Sequence, residues 1–188
     1  MSTSELDRYW SIEMDFIYHN SDIVIDLRKM VYDDLNPVYE IEKKCFPDPW
    51  IFKFFEDSLK HNECFVLSVI NIGNEKNTTK EKIAPQIIGF FLGLETLDEY
   101  TILNIAILPE YQGKGLGFQL ISKIIESHNL KYDKYFLDVR ESNHQAISLY
   151  KKIGFKPLYN RKAYYENPTE DSVVMGFEIN DKKMILDK

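Results

Sequence analysis

From Ile23 the chain reads Ile-Val-Ile-Asp-Leu-Arg, a β-branched and apolar run that predicts a first strand. Leu35, Val38, Ile41 and Phe46 then recur near helical spacing and predict a helix over 33–45. Pro47 and Pro49 interrupt it, because each fixes its own φ and restrains the residue before it. Phe46-Pro47-Asp48-Pro49-Trp50 is therefore a stiff turn, followed by a short amphipathic helix over 50–59 carrying Phe54, Phe55 and Leu59. Residues 64–72 and 87–94 are rich in β-branched and aromatic types, and the stretch between them, Gly73 to Lys82, is polar and turn-prone. A β-hairpin with a long solvated loop follows from that contrast.

Tyr100 to Leu108 is a nearly continuous apolar run ended by Pro109, which predicts a central strand buried on both faces. The glycine-rich turn Gln112-Gly113-Lys114-Gly115-Leu116-Gly117 comes next and opens into a helix, since Leu116, Leu120, Ile121, Ile124 and Ile125 share one stripe. Residues 135–139 predict another strand. Ala146, Ile147, Tyr150 and Ile153 mark one face of a further helix, with Asn143 near its start and Gly154 as its cap. Residues 155–165 and 172–179 supply two last strands. Residues 1–22 have no clear period and form an N-terminal extension, 23–180 form one domain, and 181–188 are a C-terminal tail.

Glycines at 113, 115 and 117, set between a strand and a helix, suggest backbone amides turned toward an anion. Helix N-termini leave unpaired N–H groups and carry partial positive charge, so a phosphate-bearing ligand is implied. The nucleotide P-loop does not fit, because Lys114 is followed by Gly115 rather than Ser or Thr. The dinucleotide fingerprint does not fit either, because Phe118 stands where a small residue belongs. On the glycines alone, a tight turn with no ligand stays open.

Composition narrows the ligand. A length of 188 residues favours one domain over two. The formal net charge of −7 disfavours nucleic acid and suits an amine-bearing substrate. No apolar run approaches the roughly 20 residues that span a bilayer, so no membrane association is expected. The first residues lack the pattern of a secretory signal, so a cytoplasmic location is expected. Cys45 and Cys64 have neither a disulfide framework nor zinc-site spacing, and read as core thiols. His19, His61, His128 and His144 have no paired spacing, and no metal is expected.

Gln112-Gly113-Lys114-Gly115-Leu116-Gly117 resembles the acetyl-CoA motif of the GNAT superfamily: Arg or Gln, two residues, Gly, one residue, then Gly or Ala. Leu137-Asp138-Val139-Arg140-Glu141-Ser142-Asn143 through Tyr150, then Lys151-Lys152-Ile153-Gly154-Phe155, looks like the RimI-type signature of peptide N-terminal acetyltransferases. Asn104-Ile105-Ala106-Ile107 looks like it too. Arg161-Lys162-Ala163-Tyr164-Tyr165 with Glu170-Asp171-Ser172 is similar to the Tyr-Tyr and Glu-Asp-Ala segment of the same enzymes. The resemblance covers about residues 23–180.

The resemblance implies a mixed α/β GNAT fold. That fold has a mostly antiparallel twisted sheet of six to seven strands, a splayed parallel pair at 103–108 and 135–140, and about four flanking helices. It also implies acetyl-CoA as cosubstrate and transfer of its acetyl group to the α-amine of a protein N-terminus or short peptide, a ribosomal protein included. A monomer or weak dimer is expected. Cofactor contacts would come from Ile105, Ala106, Ile107, Gln112, Gly113, Lys114, Gly115, Leu116, Gly117, Asn143, Ala146, Tyr150 and Lys152. Tyr150 would give its proton to the departing thiolate. Asp138 stands where RimI-like enzymes usually place Glu, and would act through water as a base or orient the ammonium. Phe46, Pro47, Asp48, Asn104, Tyr164 and Tyr165 would form a slot for the acceptor. The alternatives are a small-amine acetyltransferase acting on a polyamine or antibiotic, and a CoA-binding subunit without catalysis.

Overall fold

A computed structural model of the chain describes residues 16–17, 23–71, 85–128 and 131–179. Most of the predicted extension, the hairpin loop from 73 to 82 and the predicted tail lie outside the described residues. The strands are β1 (Phe16–Ile17), β2 (Ile23–Lys29), β3 (Glu63–Asn71), β4 (Gln86–Thr96), β5 (Glu99–Ile107), β6 (Lys134–Arg140), β7 (Lys156–Glu166) and β8 (Thr169–Glu178). The helices are α1 (Leu35–Cys45), α2 (Phe52–His61), α3 (Leu116–Ser127) and α4 (His144–Ile153), with single 3₁₀ turns at Tyr32–Asp34 and Pro109–Tyr111. Seven strands match the sequence pattern, and the two-residue β1 pairs beside β2 to complete an eight-stranded sheet in the order β1-β2-β3-β4-β5-β6-β8-β7.

Every neighbouring pair is antiparallel except β5 with β6. That parallel pairing runs only from Glu99↔Lys134 to Ile102↔Leu137. The register against β4 explains where it stops. Leu92 faces Asn104 but Gly93 faces Ile102, so Leu103 is an extra residue on β5. An extra residue bends its strand and raises the local twist. The bulge thus falls just after the last residue paired to β6, and from Leu103 to Ile107 the β5 edge on that side carries no strand. The expected burial on both faces gives way to alternation along β5, with Thr101, Leu103 and Ile105 only partly covered, and the gap opens beside Leu103 and Ile105.

The closed end of the gap is pinned by a polar cluster. Tyr100 Oη donates to Glu63 Oε2 at 2.8 Å, and His128 sits between Glu63 (Nε2, 2.9 Å) and the Tyr135 hydroxyl (Nδ1, 3.0 Å). Gly93 makes room for this, since a Cβ there would collide with the Tyr100 hydroxyl and ring. Around these groups the core is continuous, from Phe55, Phe90 and Leu67 to Tyr135, Phe155 and Met175.

Candidate active site

At the open end, the three glycines of the turn act for different physical reasons. Gly113 (φ 72°) and Gly115 (φ 81°) are in the left-handed region that side chains disfavour. Gly117 lets two helices meet, because a Cβ there would lie 3.0 Å from Leu149 Cδ2 on α4. Gly115 begins α3 without a side-chain cap, so the amides of its first turn have no competing acceptor from that position. Gln112 Nε2 donates to the Ile107 carbonyl at 2.7 Å and fastens the turn to the end of β5.

A cavity of about 310 Å³ lies in front of these groups. Its lining includes Ile105, Ala106 and Ile107 of the unpaired β5 edge, Gln112, Gly113, Gly115, Leu116 and Gly117 of the turn, and Asn143, Ala146 and Tyr150. Lys114 and Lys152, expected beside the cofactor, are not in that lining: Lys114 Nζ lies over the Tyr111 ring at 5.1 Å and Lys152 Nζ over the Phe118 ring at 5.1 Å. Asn143 caps α4 by accepting from Ala146 N at 3.0 Å, which fixes the helix that carries Tyr150.

A second cavity, of about 660 Å³, adjoins the first, and the two share Cys45, Phe46, Ile105, Asn143, Ala146 and Tyr150. It holds all six residues expected to meet the acceptor: Phe46, Pro47, Asp48, Asn104, Tyr164 and Tyr165, together with Asp138. Tyr164 and Tyr165 stand edge to face at 5.1 Å, and each lies against an arginine: Tyr165 on Arg140 at 4.1 Å and Tyr164 on Arg161 at 5.3 Å. Arg140 also pairs with Glu170 (3.2 Å) and donates to the Asn167 and Pro168 carbonyls (both 3.0 Å), so it ties the β7–β8 turn to β6.

Burial alone pushes the Tyr150 hydroxyl up to about 12, so it holds its proton at neutral pH and can act only as an acid there. The Cys45 thiol, in the wall common to both cavities, is pushed up to about 11, by burial first and then by the Glu42 and Glu110 charges.

Sequence reasoning missed Glu42. This carboxylate is almost fully buried, yet it lines the second cavity, accepts from Trp50 N at 2.8 Å and from Asn104 Nδ2 at 3.1 Å, and so joins α1, the proline turn and β5. Burial raises its pKa, against the lowering effect of those two hydrogen bonds. The available signal was a charge placed four residues after Val38, on the apolar stripe of α1. Trp50 and Phe54 extend the aromatic wall and were also absent from the expected set.

A parallel strand pair that parts beside an uncapped helix N-terminus, with a buried tyrosine where two chambers meet, defines an acyltransferase working from a coenzyme A thioester. The uncapped amides suit a pyrophosphate, and the free β5 edge suits the amides of a pantetheine arm. The chain belongs to the Acetyltransferase (GNAT) family, whose model matches residues 30–155, and it is an enzyme with acetyl-CoA as acetyl donor. It is 35% identical over 156 residues to a putative [ribosomal protein bS18]-alanine N-acetyltransferase of Bacillus subtilis, covering 82% of this chain and 96% of that protein. It is 40% identical over 147 residues to the [ribosomal protein bS18]-alanine N-acetyltransferase of Haemophilus influenzae, covering 76% and 91%. The crystal structure of the ribosomal-protein-S18-alanine N-acetyltransferase from Escherichia coli superposes with a TM-score of 0.68 at 29% identity, covering 83% of this chain and 94% of that one. Among the described residues no group of three or more His, Cys, Asp or Glu could hold a metal, and no helix is long and apolar enough to cross a membrane.

Proposed function

We propose that this acetyltransferase modifies the α-amino group of a protein's N-terminal residue, with the N-terminal alanine of ribosomal protein bS18 as its principal acceptor. The observation that carries the reading is the second chamber. Its lining has carboxylates from Glu42, Asp48, Asp138 and Glu166 against one guanidinium, Arg140, already committed to Glu170, while Arg161 reaches Asp138 from outside the lining, and it lies between the Phe46–Trp50 wall and the Tyr164–Tyr165 wall. Such a slot attracts an ammonium and accommodates a narrow extended chain behind it. The names of the relatives at 35% and 40% identity point to the same acceptor.

The donor supplies an activated carbonyl and a thiol leaving group: the acceptor nitrogen bonds to the carbonyl carbon as the C–S bond breaks. The protein's residues handle position and protons. Gly115, Leu116 and Gly117 hold the phosphates through their amides, and the unpaired edge at Ile105 to Ile107 holds the arm. Asp138 takes the first proton lost by the ammonium through water and passes it to solvent, Tyr150 Oη gives its proton to the thiolate, and the second proton, shed by the nitrogen once the C–N bond has formed, passes to water and restores the tyrosine. An α-amine suits this machinery because its pKa near 8 leaves on the order of a tenth neutral at pH 7, whereas lysine near 10.4 leaves only a few parts in ten thousand.

The test is mass spectrometry of a peptide pool after incubation with enzyme and acetyl-CoA. Acetyl groups should appear on α-amines, most on a peptide with the bS18 N-terminus. Efficient turnover of spermidine with no modified α-amine would overturn the reading.

A further inference from the structure

We propose that Ser172 is a positioning residue for acetyl transfer, holding the Asp138 carboxylate so that one oxygen stays turned to the acceptor chamber; the inference rests on Asp138 handling the acceptor's proton. Ser172 is fully buried on β8, and its hydroxyl donates to Asp138 Oδ1 at 2.5 Å. The strand registers set up this contact. Arg140 faces Ser172 across β6–β8, Asp138 faces Val174, and Arg161 faces Ser172 across β7–β8. Because side chains alternate along a strand, Asp138, Arg140, Ser172 and Arg161 share one face of the sheet, and Asp138 meets Ser172 on the diagonal.

The two Asp138 oxygens have partners of opposite kinds. Oδ2 lies 3.2 Å from Arg161 NH1, whose side chain is 43% exposed and rests on Tyr164 at the rim. An ion pair this open is weak and exchanges readily, so an incoming ammonium can replace the guanidinium. The Ser172 bond is part-buried, with its donor wholly covered, and so is far less open to exchange than the ion pair. Without it, the short carboxylate is free to follow Arg161 outward to the rim, away from the chamber shared with Tyr150. Ser172 therefore keeps Asp138 in place while the other partner changes. It also occupies space: a carboxylate one methylene longer would reach as far only if the hydroxyl were removed.

The test compares Ser172→Ala, Ser172→Cys, Asp138→Glu and the double variant Asp138→Glu/Ser172→Ala. Turnover is measured on the amine the wild-type enzyme uses best, alongside calorimetric affinity for coenzyme A and thermal unfolding. Loss of an orienting partner should lower kcat about 10-fold in Ser172→Ala and several-fold in Ser172→Cys, whose thiol is a weak donor, with KM within about 2-fold. Asp138→Glu alone should lose about 10-fold through crowding against Ser172, and the double variant should return to within about 3-fold of wild type. That rescue separates positioning from a purely structural role, which would move unfolding temperature and not kcat. Wild-type kcat in Ser172→Ala, or a double variant as slow as the product of the single losses, would overturn the proposal. Should the wild type prefer a small amine to any peptide, the acceptor assignment falls while these ratios still decide the role of Ser172.

Discussion

Asn104 donates to Glu42 at 3.1 Å although 62 residues separate them, and through this bond the bent half of β5 is fixed to α1 in the wall of the acceptor chamber. The other Glu42 oxygen holds the Trp50 amide, so a single carboxylate sets the spacing between two walls. Glu42→Gln keeps the volume but turns an amide donor toward either Asn104 or Trp50. Initial-rate measurements should show acceptor KM raised about 10-fold, with coenzyme A affinity unchanged by calorimetry. Glu42→Ala leaves the Trp50 and Asn104 donors unpaired and should lower unfolding free energy by about 1–3 kcal/mol in urea titrations.

Tyr150 is tested by removing one oxygen. Tyr150→Phe keeps the ring that packs on Phe155 at 5.9 Å, so the fold and the affinity for coenzyme A should survive. Loss of the general acid should lower kcat about 10²–10³-fold in a thiol-release assay. In the wild type the hydroxyl is pushed up to about 12, and an acid with a raised pKa stays protonated farther into alkali. The rate should accordingly show no alkaline fall from this group between pH 8 and pH 10, and an early fall there would deny Tyr150 its role.

The course of the chain was legible because its periods change cleanly, from a β-branched run in β2 to a helical stripe in α3, and because Gly113, Gly115 and Gly117 punctuate the passage from an apolar strand to a helix. The parting of β5 from β6 was legible only through family resemblance. Its local cause, the extra residue Leu103, is a matter of register against β4, and register is fixed by pairing that a single strand's pattern does not contain. Glu42 was hidden for a related reason: a lone acid on an apolar stripe gains meaning only when its partners, Trp50 and Asn104, arrive from elsewhere. Ser172 stands in a recognisable motif, but its bond to Asp138 depends on β8 lying between β6 and β7.

Stability should depend on pH in two opposed ways. Burial would raise the Glu63 carboxyl, but hydrogen bonds from His128 and Tyr100 and the charges of His128 and Lys131 outweigh it and hold the group below its ordinary 4.5. Asp34 is likewise held below 3.8, its burial outweighed by Arg28 and the Val31 amide. A depressed carboxyl contributes stability that is present above its unfolded pKa and lost as pH falls through the folded one. Glu42, raised by burial, has the opposite sign: its contribution is present below the unfolded pKa and lost as pH rises through the folded one. Urea midpoints should therefore rise slightly as pH falls from neutrality toward the ordinary carboxylate range, and fall as pH drops through that range. Glu63→Gln should flatten the acid fall, and an unchanged slope would show that the cluster does not carry it.

The aromatic wall of the acceptor chamber depends on an irregularity in β7. Arg161 faces Ser172 and Tyr165 faces Glu170, so residues 162–164 bulge opposite Asp171 alone. Asp171 fills the bulge, accepting from Ala163 N at 2.9 Å and from Lys162 Nζ at 2.5 Å, while Ala163 takes a left-handed φ of 49°. A bulge re-aims the side chains that follow it, here Tyr164 and Tyr165. Asp171→Ala should release that geometry and raise acceptor KM about 5- to 10-fold, leaving coenzyme A affinity and kcat at saturating acceptor near wild type. Ala163→Gly removes a strain of about 1–2 kcal/mol and adds about 0.5–1 kcal/mol of chain entropy, so its unfolding temperature should stay within a few degrees of wild type with KM unchanged. An Asp171→Ala enzyme with wild-type KM would mean that Arg140 and Arg161 alone hold the two tyrosines in place.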